Sequence, residues 1–124
     1  GNMHLLGFCL RGRRIASLFE HHTGEVDAAQ IAGFTERLSD GSLTNAEVFE
    51  SMGHGAFHAD RTLVSGHSSL VAVTGPQRAK IAGTPLKPYF AAPYGDMSRL
   101  PRPWKWVETF LFDDARRFKP RSLD

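Results

Sequence analysis

The sequence predicts a single α+β domain with a mostly antiparallel sheet and short flanking helices. Three observations support this class: 124 residues suffice for one hydrophobic core, the apolar segments are short and separated by Gly, Pro and Ser turn signals, and no βαβ rhythm is present. We therefore treat residues 1–124 as one domain. Gly1 and Asn2 precede Met3, and we expect these two residues to be left over from cloning.

The first part of the chain carries one helix signal and one ambiguous segment. Residues 13–22 carry apolar side chains at helical spacing, and Gly24 follows as a stop signal, so a short amphipathic helix is predicted. The stretch 25–37 fits a helix face and a strand face equally well. Periodicity alone leaves both alternatives open there.

The middle of the chain contains turn signals between short elements. Residues 39–42 predict a turn, and Thr44 with Glu47 forms either a capping box that opens a helix or the start of a strand. The segments beyond them are predicted to be a hairpin turn at 53–55, a strand at 56–64, a loop at 65–69, a short apolar segment at 70–73, a helical turn at 75–80 and a rigid turn at 83–88.

One carboxylate lies in the most aromatic segment, residues 104–112. If this segment is a strand, period-two alternation places Glu108 on the same face as four aromatic rings. A buried carboxylate needs a cation or a hydrogen-bond donor; without one its pKa rises. Glu108 is therefore predicted to be either paired structurally or used in chemistry. Its aromatic neighbours on that face are Trp104, Trp106, Phe110 and Phe112.

Composition excludes several classes of function. The net charge is only +2, and the basic residues do not form the clustered stripe that nucleic-acid binding requires. No apolar run is long enough for a membrane span. We expect a cytoplasmic protein with no nucleic-acid or membrane partner. Cys9 lies in an apolar run and is predicted to be a core residue.

The six histidines raise the question of a metal site. We considered His54 with His58 and His67, and the pair His21 and His22. Two histidines four residues apart face one metal only on a helix, and the glycines around His54 favour a turn instead. The sequence therefore predicts no metal ligands and no cofactor.

Four segments, taken in order, resemble the chorismate lyase family. This family consists of small α+β enzymes that convert chorismate to 4-hydroxybenzoate and pyruvate. The resemblance implies a strand within 25–37. The matching segments are 17–26 (SLFEHHTGEV) with 31–34 (IAGF), 55–64 (GAFHADRTLV), 83–86 (GTPL) with the Tyr-Phe at 89–90, and 98–100 (SRL) with 108–111 (ETFL).

The same resemblance implies roles for individual residues. Glu108 would be the catalytic proton donor, and the backbone N–H of Leu86 would bind the substrate carboxylate. The arginine that binds the carboxylate in the family falls on Ala46 here, so Arg61 is the first candidate replacement, followed by Arg99 and Lys80. Arg61 could equally be the ion partner of Glu108. The remaining substrate-binding candidates, which would form the aromatic wall, are Trp106 and Phe110.

The resemblance leads to one functional expectation and one alternative. The chain would bind an aromatic or cyclohexadiene carboxylate in an enclosed pocket and could act as a carbon–oxygen lyase that releases pyruvate from chorismate. The alternative is a non-catalytic effector-binding domain of the same fold. A purely structural protein, in which Glu108 forms an ion pair, remains the third possibility. No cofactor is implied.

Overall fold

A computed structural model describes residues 4–63, 70–75 and 77–90 of the chain, together with the backbone of residues 107–113. Over these residues the chain forms six strands, two α-helices and two 3-10 turns. In chain order they are β1 (His4–Arg11), β2 (Arg14–His22), α1 (Ala28–Asp40), α2 (Asn45–Glu50), β3 (Gly55–His58), a 3-10 turn (Arg61–Leu63), β4 (Leu70–Thr74), a second 3-10 turn (Arg78–Ile81), β5 (Tyr89–Phe90) and β6 (Val107–Asp113).

All six strands belong to one sheet, in the order β3-β2-β1-β6-β4-β5. The pairs β1–β2, β2–β3 and β4–β6 are antiparallel, whereas β1–β6 and β4–β5 are parallel. Antiparallel pairing therefore predominates, and the predicted α+β class is confirmed. No helix in the described residues is both long enough and apolar enough to cross a membrane.

The core lies between one face of the sheet and helix α1. Alternate residues of β1 and β2 face this side, among them Leu5, Cys9 and Phe19, each at most 1% exposed. The ring of Phe34 from α1 packs edge-on against Phe19, with 5.8 Å between centroids. Burial of Cys9 agrees with its predicted core position. The residues that alternate with them in β1, namely His4, Leu6 and Phe8, face the other side of the sheet and are half-buried.

The prediction of a helix over 13–22 was wrong, because this segment forms strand β2. The register with β1 shifts between Cys9, which pairs with Ser17, and Leu10, which pairs with Ile15. Ala16 is thus an extra residue, a β-bulge, and both Ala16 and Ser17 are buried. A bulge breaks strict alternation, and the apolar spacing that remains resembles that of a helix.

The ambiguous stretch 25–37 lies largely in helix α1, so the strand implied by the chorismate lyase resemblance was also wrong. Asp27 caps the helix: its side chain accepts from the backbone N–H of Gln30, and the Gln30 side chain accepts from the backbone N–H of Asp27. The helix ends at Gly41, whose left-handed φ of 83° suits glycine. Gly41 lies inside the turn predicted at 39–42.

The capping box at Thr44 and Glu47 opens a helix, the first of the two alternatives. The backbone N–H and the hydroxyl of Thr44 both donate to the Glu47 carboxylate, and Arg37 donates to it as well. These bonds lower the pKa of Glu47, with the backbone N–H of Thr44 as the largest cause.

The turn predicted at 53–55 is present, but it joins helix α2 to strand β3 and not two strands of a hairpin. Strand β3 ends at His58 and is shorter than the predicted strand over 56–64. The apolar segment at 70–73 is strand β4, and the helical turn up to Lys80 is a 3-10 turn. The loop predicted at 65–69 lies outside the described residues.

Candidate metal centre

Three histidines that are distant in sequence meet at one end of the sheet. His4 begins β1 and His22 ends β2, and the antiparallel register pairs these two residues directly. His54 comes from the turn before β3, where its backbone N–H donates to the carbonyl of Glu20 at 2.9 Å. The strand pairing therefore places the three side chains together without any local sequence motif.

The geometry of this histidine cluster suits a metal ion. Each imidazole offers one nitrogen, and the three nitrogens lie within 4.8 Å of one another. Ring centroids are 5.1 Å apart for His4 and His22, 5.0 Å for His4 and His54, and 4.4 Å for His22 and His54. Zinc–nitrogen bonds are about 2.0–2.1 Å long, so three imidazole nitrogens this close together could bind one ion.

Glu20 fixes the orientation of one of these rings. Its Oε1 lies 2.7 Å from Nδ1 of His4, and the two side chains are 40% and 33% exposed, respectively. An Nδ1–H that donates to a carboxylate leaves Nε2 as the nitrogen with a free lone pair. This is the arrangement that orients histidine ligands in metal sites. In the tautomer with the proton on Nδ1, Nε2 would be the metal-binding atom of His4.

The turn that carries His54 is held in place by close packing. A Cβ atom added at Gly53 would lie 2.5 Å from Cδ2 of His21 and 2.8 Å from the carbonyl oxygen of Val48. His21 is itself fully buried, and its Nε2 lies 3.0 Å from the carbonyl oxygen of Ser51. Only a glycine fits between these groups. The backbone at position 53 is therefore held in place, and with it the start of the His54 side chain.

A cavity of about 640 Å³ opens beside the histidine cluster. His22 belongs to both the cluster and the cavity wall. Lys80 reaches the cavity from the second 3-10 turn and donates a hydrogen bond to the carbonyl of Thr23. The cavity is lined by His22, Thr23, Gly24, Glu25, Met52, Gln77 and Lys80.

Two of the substrate-binding candidates predicted from the sequence, Arg61 and Leu86, are not part of the histidine cluster. Arg61 is exposed on the first 3-10 turn and donates to the carbonyl of Gly41 at 3.2 Å, while Leu86 packs against the hydrophobic core. The backbones of Glu108 and Phe110 lie in β6, where Glu108 pairs with Leu5. The side chains of Glu108 and Phe110, and all of Trp106, lie outside the described residues.

The structure also regroups the histidines considered from the sequence. His54 joins His4 and His22, whereas Nε2 of His58 lies 2.7 Å from the carbonyl oxygen of Leu43. His67 lies outside the described residues. His4 was missed entirely. Only the pairing of β1 with β2 brings His4 next to His22. Because residues 13–22 were predicted to form a helix, this pairing was not considered.

Comparison with known proteins corrects the chorismate lyase interpretation. The sequence profile of a different family, described as "Putative pyruvate format-lyase activating enzyme (DUF1786)", matches residues 1–80. Among curated proteins and solved structures there is no significant match. The chorismate lyase resemblance was therefore wrong, and so were the lyase and effector-domain functions drawn from it. The match does not test the individual site residues, whose assignments stay predictions. Because the match covers more than half of the 124 residues, this chain belongs to the family with that description.

Proposed function

We propose that this chain binds a transition-metal ion through His4, His22 and His54 and presents it with an open coordination position. The observation that carries the proposal is the convergence of three imidazole nitrogens within 4.8 Å. Imidazole is a ligand for Zn, Cu, Fe and Ni. Glu20, bonded to His4, supplies the carboxylate partner that histidine ligands commonly have.

Among the described residues the cluster has three ligands, and this number favours a catalytic over a structural metal. Structural zinc sites are closed by four protein ligands, whereas catalytic sites use three and leave the fourth position for water or substrate. The cavity adjoining His22 would give a small molecule access to that position. When bound, such a metal supplies Lewis acidity and lowers the pKa of coordinated water.

The family description suggests another kind of metal chemistry, radical generation on an iron–sulfur cluster. Iron–sulfur clusters are held mainly by cysteine thiolates. This chain contains one cysteine, Cys9, which is fully buried on the core face of the sheet. Its residues therefore do not fit such a cluster, and we derive no radical step for them. The cytoplasmic location predicted from the sequence remains part of our proposal.

A zinc titration of untagged, metal-free protein tests the proposal. We expect one Zn²⁺ to bind per chain in competition with a chelating dye. The variant His54→Ala, at an exposed position, should lose this stoichiometric binding. His58→Gln is the matched control, because His58 is bonded to Leu43 away from the histidine cluster. Unchanged zinc binding by His54→Ala would refute the assignment.

A further inference from the structure

We propose that the cavity beside the histidine cluster receives a small molecule through an oxyanion, a carboxylate or a phosphate group. One oxygen would take the open metal position, and the negative charge would meet the ammonium group of Lys80. This inference rests on the metal site proposed above and specifies the class of ligand that the site accepts.

The position of His22 connects the metal to the cavity. His22 contributes a nitrogen to the cluster and also forms part of the cavity wall. His4 and His54 are not among the lining residues, so His22 is the histidine that a ligand in the cavity would contact. Such a ligand would reach the metal beside His22 and take the coordination position that the three histidines leave open.

The charges around the cavity favour an anion. Of the described lining residues, Lys80 carries the positive charge and Glu25 the negative one. Lys80 is half-buried, and its ammonium has three donors, of which one serves the carbonyl of Thr23. Glu25 is exposed, so water and salt screen its repulsion. Histidines that bind a metal are neutral, and the divalent ion adds two positive charges.

The size of the cavity fits a small organic molecule. Its volume of about 640 Å³ lies within the range of about 300–1,000 Å³ that is usual for small-molecule sites. Gln77 and Met52 provide one polar and one apolar wall for the part of the ligand that carries no charge.

Cobalt-loaded protein provides the test, since the visible spectrum of Co²⁺ reports its coordination. We expect acetate or inorganic phosphate to change this spectrum saturably, and the two titrations compare carboxylate with phosphate as the ligand group. Lys80→Met should weaken anion binding about tenfold or more because a charged hydrogen bond is lost, with cobalt affinity unchanged. Glu25→Gln should strengthen anion binding. Lys87→Met, at an exposed lysine outside the cavity wall, is the matched control.

The outcomes separate this inference from the metal proposal. Cobalt binding with no spectral response to either anion would overturn the inference and leave the metal site standing. So would an anion response that is equal in Lys80→Met, Glu25→Gln and the parent protein. Failure of cobalt to bind at all, in protein whose circular dichroism shows a folded chain, would overturn both.

Discussion

At the scale of single residues, the histidine cluster depends on side chains that no local motif connects. In the sequence, His22 follows His4 by 18 residues, and His54 follows His22 by 32 residues. Metal motifs that sequence reading can recognise have short fixed spacings, because both ligands then come from one helix or one loop. Here the spacing is set by the lengths of β1, β2 and the two helices, so the cluster was invisible until the strands were paired.

Glu20 gives the residue-scale prediction. Its carboxylate holds Nδ1 of His4 at 2.7 Å, and removing such a partner from a metal-binding histidine typically lowers metal affinity about 10- to 100-fold. We expect Glu20→Ala to weaken zinc binding by this factor while the stoichiometry stays at one. The zinc affinity of Glu20→Gln should lie between those of Glu20→Ala and the parent protein, because an amide oxygen still accepts a hydrogen bond from Nδ1 but carries no charge.

The measurement is a competitive zinc titration at one pH and one salt concentration. Glu36→Ala serves as the control, since Glu36 is an exposed carboxylate on α1 outside the histidine cluster. Equal zinc affinity of Glu20→Ala and the parent protein would show that Glu20 does not orient His4.

At the scale of elements, local signals were recognised in the sequence but did not decide the element. The capping box at Thr44 was left open between a helix and a strand, and residues 39–42 were predicted as a turn without Gly41 being identified as the end of α1. Strand β2 was mistaken for a helix because its bulge at Ala16 is defined only by pairing with β1. Tertiary pairing, which local pattern does not contain, decided that element.

The turn between α2 and β3 gives the element-scale prediction. A Cβ at Gly53 would lie 2.8 Å from the backbone oxygen of Val48, an atom that cannot move aside without distorting the end of α2. We expect Gly53→Ala to lower the free energy of unfolding by about 1–3 kcal/mol, as overpacking does, and to weaken zinc binding because His54 is displaced. Chemical denaturation and zinc titration of the same variant measure both effects.

Gly33 supplies a control with the opposite sign. It lies inside α1 with open space where a Cβ would be, and Ala is favoured over Gly in a helix interior by about 1 kcal/mol. Gly33→Ala should therefore stabilise the fold and leave zinc binding unchanged. If Gly53→Ala behaves like Gly33→Ala, the turn is less tightly packed than the structure indicates.

At the scale of the whole molecule, one strand connects the two parts of the sheet. Strand β6 pairs with β1 on one side and with β4 on the other, so it joins β3-β2-β1 to β4-β5. The family match ends at residue 80 and includes neither β5 nor β6. The α+β class was predictable from segment lengths and turns, whereas the parallel insertion of β6 beside β1 was not, because that partner lies about a hundred residues away in the sequence.

The joining role of β6 leads to the prediction that tests the whole fold. Thr109 pairs with Leu6 of β1 and with Thr74 of β4. Proline at a central strand position removes a backbone donor and is found almost only at sheet edges. We expect Thr109→Pro to lower the free energy of unfolding by about 1–3 kcal/mol or more, because a ladder hydrogen bond is lost and its acceptor is left unpaired. Thr109→Val keeps the backbone donor and the branched side chain, so it should stay within about 1 kcal/mol of the parent protein.

Zinc should oppose this loss of stability, because the histidine cluster exists only in the folded chain. A ligand at 100 times its dissociation constant stabilises the native state by about 2.7 kcal/mol. Denaturation of Thr109→Pro with and without excess Zn²⁺ should therefore show a partial recovery of stability, and adding His54→Ala should remove it. Wild-type stability in Thr109→Pro would mean that β6 does not join the two parts of the sheet. Recovery by zinc that survives His54→Ala would mean that the ion binds elsewhere.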